Sequence, residues 1–199
     1  MEENFFQKGY RRILAIDEVG RGSLAGPFFI GGLLLNKKAY SQLKKIDIKD
    51  SKKLSPLQRQ KLFNLMKKFK LKYKIEKFSN KQIDSLGINY CFLKGIVNLY
   101  KFFKPDLTVI DGKEINSLKK ELKNIKFIVK GDEKLISLGA ISIISKHLRD
   151  QYMIKLNKKI NIYHFEKHKG YGTQLHFHQI KIYGPSKYHR LTFIPFHKL

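Results

Sequence analysis

Two apolar runs of strand length, "RRILAID" at 11–17 and "FFIGGLLL" at 28–35, stand close together near the start of the chain. The loop between them, "EVGRGSLAGP", carries glycines and a proline. Short apolar runs bounded by such residues pair as neighbouring strands, so the chain is expected to build around a sheet. The first run ends on two adjacent acids, Asp17 and Glu18, directly before a Gly-Arg-Gly turn. Strand residues alternate faces, so one of these acids is expected to point inward, which a plain surface turn does not explain.

Further along, Ser55, Pro56 and Gln58 form a helix start with N-cap, first residue and capping box. Leu57, Leu62, Leu65, Met66 and Phe69 are the expected buried stripe of that helix. "KLKYKIEKF" at 70–78 alternates and predicts a half-buried strand. Residues 79–103 read as helical with a break near Gly87, and Pro105 forbids continuation. "LTVIDG" is a short buried strand ending on Asp111, and "IKFIVKGD" is another, followed by a helix from about Asp132 to Leu156. A last helix is expected around Thr173 to Tyr183. Strands and helices intermixed in this order predict an α/β domain with a mixed sheet flanked by helices and a small helical C-terminal appendage. The expected division is residues 1–157 as the catalytic domain and 158–199 as a helical, substrate-binding extension of it.

Charge narrows the class of partner. Lys and Arg number 41 against 16 Asp and Glu, a formal net charge of +25. Hydrophobic residues make up 42% of the chain, enough for a folded core, so the excess reads as a surface for polyanions such as nucleic acid. Cys91 is the only cysteine and excludes an intrachain disulfide, which fits a reducing cytoplasm. "FFIGGLLL" is far short of the roughly 20 residues that cross a bilayer, and "MEENFFQ" lacks the basic start of a signal peptide. A soluble, cytoplasmic monomer is expected.

Adjacent acids on so basic a chain make sense if a cation stands between them and phosphate. Asp17, Glu18 and Asp111 end strands, where open α/β sheets place their sites. Asp150 lies on the long helix, off the stripe of Leu138, Ile141, Ile144, Leu148 and Tyr152 and on the side of Gly139, Ile143 and Lys146. Periodicity alone allows Asp150 to be a salt bridge to Lys146, and Asp132 to be an N-cap. Hard divalent cations take oxygen ligands, so Mg²⁺ or Mn²⁺ would suit such acids. Two ions about 3.5–4 Å apart can activate water and stabilise a leaving 3′-oxygen. Histidines 164, 168, 176 and 178 suggest zinc, but no cysteine or acidic partner accompanies them.

With these residues in view, the sequence resembles the type 2 ribonuclease H family, ribonuclease HII. "IDEVGRGSLAGP", "DSKKLS" at 50–55, "VIDG" at 109–112, "KGDEKLISLGAISIISKHLRDQYM" at 130–153 and "HKGYGTQLHFHQIKIYGPSKYHRLTFIP" at 168–195 are similar to its ordered blocks. The resemblance implies a ribonuclease H-like fold, with Asp17, Glu18, Asp111 and Asp150 as both catalytic and metal-binding acids, and promotes Asp150 over Asp132. It also implies cleavage of RNA in RNA–DNA hybrids and of single ribonucleotides in duplex DNA, leaving 5′-phosphate and 3′-hydroxyl ends. Val19 and Ser23 stand where the family usually has Ala and Pro, and Gly139, Ile141 and Ser145 where it has alanines.

Substrate contacts follow from the same blocks. Gly20 and Gly22 allow close backbone approach to a ribose, with Arg21 placed for a phosphate. Tyr171 matches the tyrosine that packs on the sugar at the RNA–DNA junction. Ser51, Lys52, Lys53, Lys146, His189 and Arg190 complete the expected contacts, of which the basic ones reach backbone phosphates. A non-catalytic basic binding protein and a related nuclease acting on branched DNA are the competing readings.

Overall fold

The computed structural model describes residues 1–48 and 54–193. In chain order the elements are α1 (Glu2–Gln7), β1 (Ile13–Val19), β2 (Phe28–Leu35), α2 (Lys37–Leu43), α3 (Pro56–Lys68), β3 (Lys72–Phe78), α4 (Asn80–Leu86), α5 (Ile88–Phe103), β4 (Leu107–Asp111), α6 (Asn116–Glu121), β5 (Ile125–Ile128), α7 (Gly131–Lys134), α8 (Ile136–Asn157), a 3₁₀ turn (Asn161–Tyr163), α9 (Phe165–His168) and α10 (Gln174–Tyr183). The strands form one mixed sheet ordered β3-β2-β1-β4-β5. β1 runs antiparallel to β2 and parallel to β4. The expected mixed sheet is present.

β2 is buried at every residue, because α8 covers one face of the sheet and α5 the other. That explains an unbroken apolar run where a one-sided strand would alternate. The core divides accordingly. Ile13, Ala15, Leu33, Leu107 and Val109 pack toward α8, while Leu14, Ile16, Ile30, Leu34 and Ile110 pack toward α5. A third cluster joins Leu24 and Ala25 to Met153, Tyr163, Phe165 and Ile180, fastening the C-terminal elements to the loop after β1.

Local signals are realised at several ends. Ser55 and Gln58 make the reciprocal capping box of α3. Gly87, at φ 81°, separates α4 from α5. Thr173 caps α10. Other expectations are corrected. Leu57 and Leu65 of α3 are exposed, and the inward positions are held by Arg59, Leu62, Phe63 and Met66. Asp132 is no N-cap; it lies inside α7, and the chain turns again at Leu135 before α8 starts. α8 has no side-chain cap of its own. Glu2 supplies one from the other end of the sequence, its carboxylate accepting from the amides of Ile136 at 3.1 Å and Ser137 at 2.9 Å. α8 is also buried on both sides of its wheel, since Gly139 and Ile143 are as enclosed as Leu138 and Ile141. Among the described residues, no helix is long and apolar enough to cross a membrane.

Candidate active site

The parallel register of β1 and β4 builds the site. Ile16 lies opposite Ile110, so the next residues, Asp17 and Asp111, follow the last paired positions of neighbouring strands. Asp111 ends β4, whereas β1 runs on through Glu18 to Val19, so the expectation that Asp17 and Glu18 end their strand is corrected: both lie within it, paired with β2. Asp17 and Asp111 continue the odd-numbered set that faces α8. Asp17 keeps a partial opening yet lies deep among protein atoms, and its carboxyl pKa is pushed up to about 7. Burial is the main cause, followed by the charge of Glu18; the charge of Asp111 adds to it, and a hydrogen bond from Ser142 on α8 opposes it. Asp111 accepts at 2.8 Å from the amide of Gly131. Glu18 faces Arg21, 3.8 Å away.

Asp150 is 9% exposed and held by two cations. Lys146, one turn earlier, bonds one oxygen at 2.8 Å, and Arg59 of α3 bonds the other at 3.2 Å. The expected Lys146 pair therefore exists, but in a largely buried setting. Arg59 also donates to the Leu54 carbonyl at 2.9 Å, tying α3 to the acid. Arg59 was not among the residues expected at the site. Its signal was there: Arg59, Leu62, Phe63 and Met66 share one helical face, which places a guanidinium on the buried side.

The Gly-Arg-Gly turn rests on buried arginines. Gly20 has φ +85°, and a Cβ there would lie 2.1 Å from the Arg149 guanidinium, so both backbone and space require glycine. A Cβ on Gly22 would meet no atom within 4 Å, leaving open room in front of that backbone. Arg149 donates to the carbonyls of Pro27, Lys169 and Ala25 and to the Ser23 hydroxyl, which stands 2.9 Å away. Arg190 donates to the carbonyls of Gly26 and Arg21. Arg21 itself donates to Asn89 at 2.6 Å and lies over the Phe92 ring.

Two expected phosphate contacts are corrected here. His189 and Arg190 are 1% and 0% exposed. Neither can meet a backbone phosphate without unpacking the loop: His189 bonds Ser186 and His176, and Arg190 donates through Nε and Nη1 to loop carbonyls. Ser51, Lys52 and Lys53 lie outside the described residues.

Glu18, Gly20, Arg21, Gly22, Arg59, Ser142, Lys146 and Tyr171 line one cleft of about 390 Å³. Tyr171 is half-buried, its ring beneath the charges of Lys146 at 5.2 Å and Arg149 at 5.3 Å. Among the described residues, no three Asp, Glu, His or Cys side chains are gathered as a ready-made metal nest. Arg59 and Lys146 hold Asp150, and the Gly131 amide engages Asp111. The donor set nevertheless fits a hard divalent ion. It consists of carboxylate oxygens, and the burial and repulsion by Glu18 and Asp111 that raise Asp17 are what a cation would offset.

Comparison with known proteins gives a consistent picture. A family model described as ribonuclease HII matches residues 14–196. A ribonuclease HII from Caldicellulosiruptor bescii is 37% identical over 196 residues, 98% of this chain and 92% of its own length. The crystal structure of ribonuclease H2 from Pyrococcus horikoshii OT3 matches with TM-score 0.79 at 27% identity, covering 94% of this chain and 96% of that one. A structure of the PCNA:RNase HII complex from Archaeoglobus fulgidus matches with TM-score 0.80 at 24% identity, over 92% and 95% of the two chains, a likeness of fold.

Proposed function

Because the chain belongs to the ribonuclease HII family and is an endoribonuclease of the ribonuclease H type 2 class, we propose that Asp17, Glu18, Asp111 and Asp150 hold its divalent ions. Mg²⁺ and Mn²⁺ are the candidates the oxygen donor set supports. The substrates proposed are RNA–DNA hybrids and duplex DNA bearing a single ribonucleotide. The observation that carries this reading is the placement of Asp17 and Asp111 directly after the paired residues Ile16 and Ile110 of adjacent parallel strands, close enough that Asp17 feels the charges of both Glu18 and Asp111.

When bound, such ions supply the activation of a water and the stabilisation of the leaving 3′-oxygen. The remaining work falls to the chain. Ser142 offers Asp17 a hydrogen bond that favours its charged form. Gly20 and Gly22 present backbone where a ribose 2′-hydroxyl can approach, and that hydroxyl alone distinguishes RNA from DNA at one position. Tyr171 offers its ring to the sugar from across the cleft. Arg21 and Lys146 supply positive charge along its walls, and such contacts position the duplex without reading its sequence. Cytoplasmic action is supported by Cys91, a buried free thiol.

Asp17→Asn tests the proposal. Cleavage of a duplex with one embedded ribonucleotide should fall by at least about a thousandfold, as expected when charge stabilisation at the reacting phosphate is lost, with duplex binding retained. EDTA should abolish cleavage by the unaltered protein. Turnover by Asp17→Asn near the original rate would defeat the assignment.

A further inference from the structure

Three histidines outside the metal site form a buried stack whose nitrogens are all engaged. His168 and His176 lie face to face, 4.2 Å between ring centroids and 19° between planes. His176 and His189 meet through their Nε2 atoms at 3.0 Å. Exposure is 8% for His168, 0% for His176 and 1% for His189.

The partners dictate where each proton sits. The Ser186 amide donates to His189 Nδ1 at 2.9 Å, so the proton of His189 is on Nε2. That N–H points at His176 Nε2, which must accept. The proton of His176 is therefore on Nδ1, where it donates to the carbonyl of Tyr171 at 2.9 Å. His168 accepts at Nδ1 from the Gly170 amide at 3.1 Å and donates from Nε2 to the Tyr163 carbonyl at 2.7 Å. Each ring is neutral and locked in one tautomer. Burial agrees, pulling His176 down to about 3 and His189 down to about 4.

This chain of donors ends on the residue proposed to meet the ribose. Tyr171 is fixed at both backbone atoms: its amide donates to the His168 carbonyl at 3.0 Å, and its carbonyl accepts from His176 Nδ1 and from the Thr173 amide, each at 2.9 Å. Its neighbour Gly170 accepts from the amides of Leu24 and Ala25, binding the same turn to the loop that follows Gly20-Arg21-Gly22. We propose that His189 and His176 are positioning residues that set the placement of the Tyr171 ring against the Gly-Arg-Gly turn, and through it the recognition of a single ribonucleotide. The inference rests on the reading of Tyr171 as the sugar-packing ring.

Its test has two parts. Long-range ¹⁵N–¹H spectra of the intact protein at pH 7 should show the proton on Nδ1 of His176 and on Nε2 of His168 and His189. A His176 proton on Nε2, or a cationic ring, overturns the relay. In the second part, His176→Phe removes the donor, while His176→Asn keeps an N–H near the Nδ1 position. His176→Phe should lower kcat on a one-ribonucleotide duplex about tenfold, the scale of one lost hydrogen bond. KM should move little and hybrid cleavage less, and His176→Asn should recover most of the loss.

Repeating His176→Phe in a Tyr171→Ala background separates the two readings. No further loss there supports the relay. An equal loss in both backgrounds overturns the relay and leaves the Tyr171 reading standing. If Tyr171→Ala alone does not change single-ribonucleotide cleavage, the Tyr171 reading fails and the inference fails with it. Should His176→Phe melt below the assay temperature, His189→Leu against His189→Gln makes the same comparison one bond earlier.

Discussion

At the scale of single residues, this protein uses buried arginines as braces. Arg149 and Arg190 are both 0% exposed, and neither is matched to a carboxylate in the bonds that hold it. Arg149 donates to the carbonyls of Pro27, Ala25 and Lys169 and to the Ser23 hydroxyl, and Arg190 to the carbonyls of Gly26 and Arg21. Burial lowers the pKa of each. Such groups are costly to leave unmade, because a buried donor or acceptor without its partner loses its full desolvation penalty. Gly20→Ala should show the constraint: the side chain would strike the Arg149 guanidinium at a backbone angle suited to glycine. A loss of about 2–4 kcal/mol is expected from strain and overpacking together, read as a lower midpoint in urea unfolding. The acids of this site were legible because each lies in the last residues of a strand or matches a motif. The arginine partners were not, since Arg149 reaches Pro27 across 122 residues.

At the scale of elements, α8 decides the site, carrying Ser142 toward Asp17 and Asp150 toward Arg59. It can approach β2 because Gly31 has no side chain; a Cβ there would lie 2.0 Å from the Ser145 hydroxyl. Its N-terminus is satisfied by Glu2, so α1 is part of the machinery that holds α8 in place. Glu2→Ala should cost about 1–2 kcal/mol, the worth of a charged cap at a helix start. The cost should appear as a lower thermal midpoint with faster hydrogen exchange at Ile136 and Ser137. Ser55→Ala at the capping box of α3 should cost about 1 kcal/mol in the same assay. The two caps differ in how they could be found: Ser55 and Gln58 are three residues apart, whereas Glu2 and Ile136 are separated by 134.

For the whole molecule, acid and salt act on different parts. The folded chain keeps His176 and His189 neutral below their ordinary value of 6.5, whereas the unfolded chain protonates them there. The unfolded state then binds more protons, so stability is full above about pH 6.5 and falls as pH drops toward the folded values. Between pH 7 and pH 5 each ring should remove at most about 2 kcal/mol. His176→Asn should flatten that pH profile of the thermal midpoint. Salt acts through the excess of +25. Duplex binding should weaken with a log–log slope of about 0.9 per phosphate neutralised, measured by titration from low to physiological salt.

The sequence by itself determined that a mixed sheet forms, which segments are its strands and which acids they carry, because strand period, turn residues and caps act over a few positions. Tertiary structure alone decided which cations went inside, that Arg59 joins Lys146 on Asp150, and that His189 and Arg190 brace a loop where sequence reading had them touching phosphate. The physical reason is distance along the chain. A buried guanidinium takes its direction from groups brought to it by packing, and for Arg59, Arg149 and Arg190 those groups include ones about ninety to more than a hundred and sixty residues away.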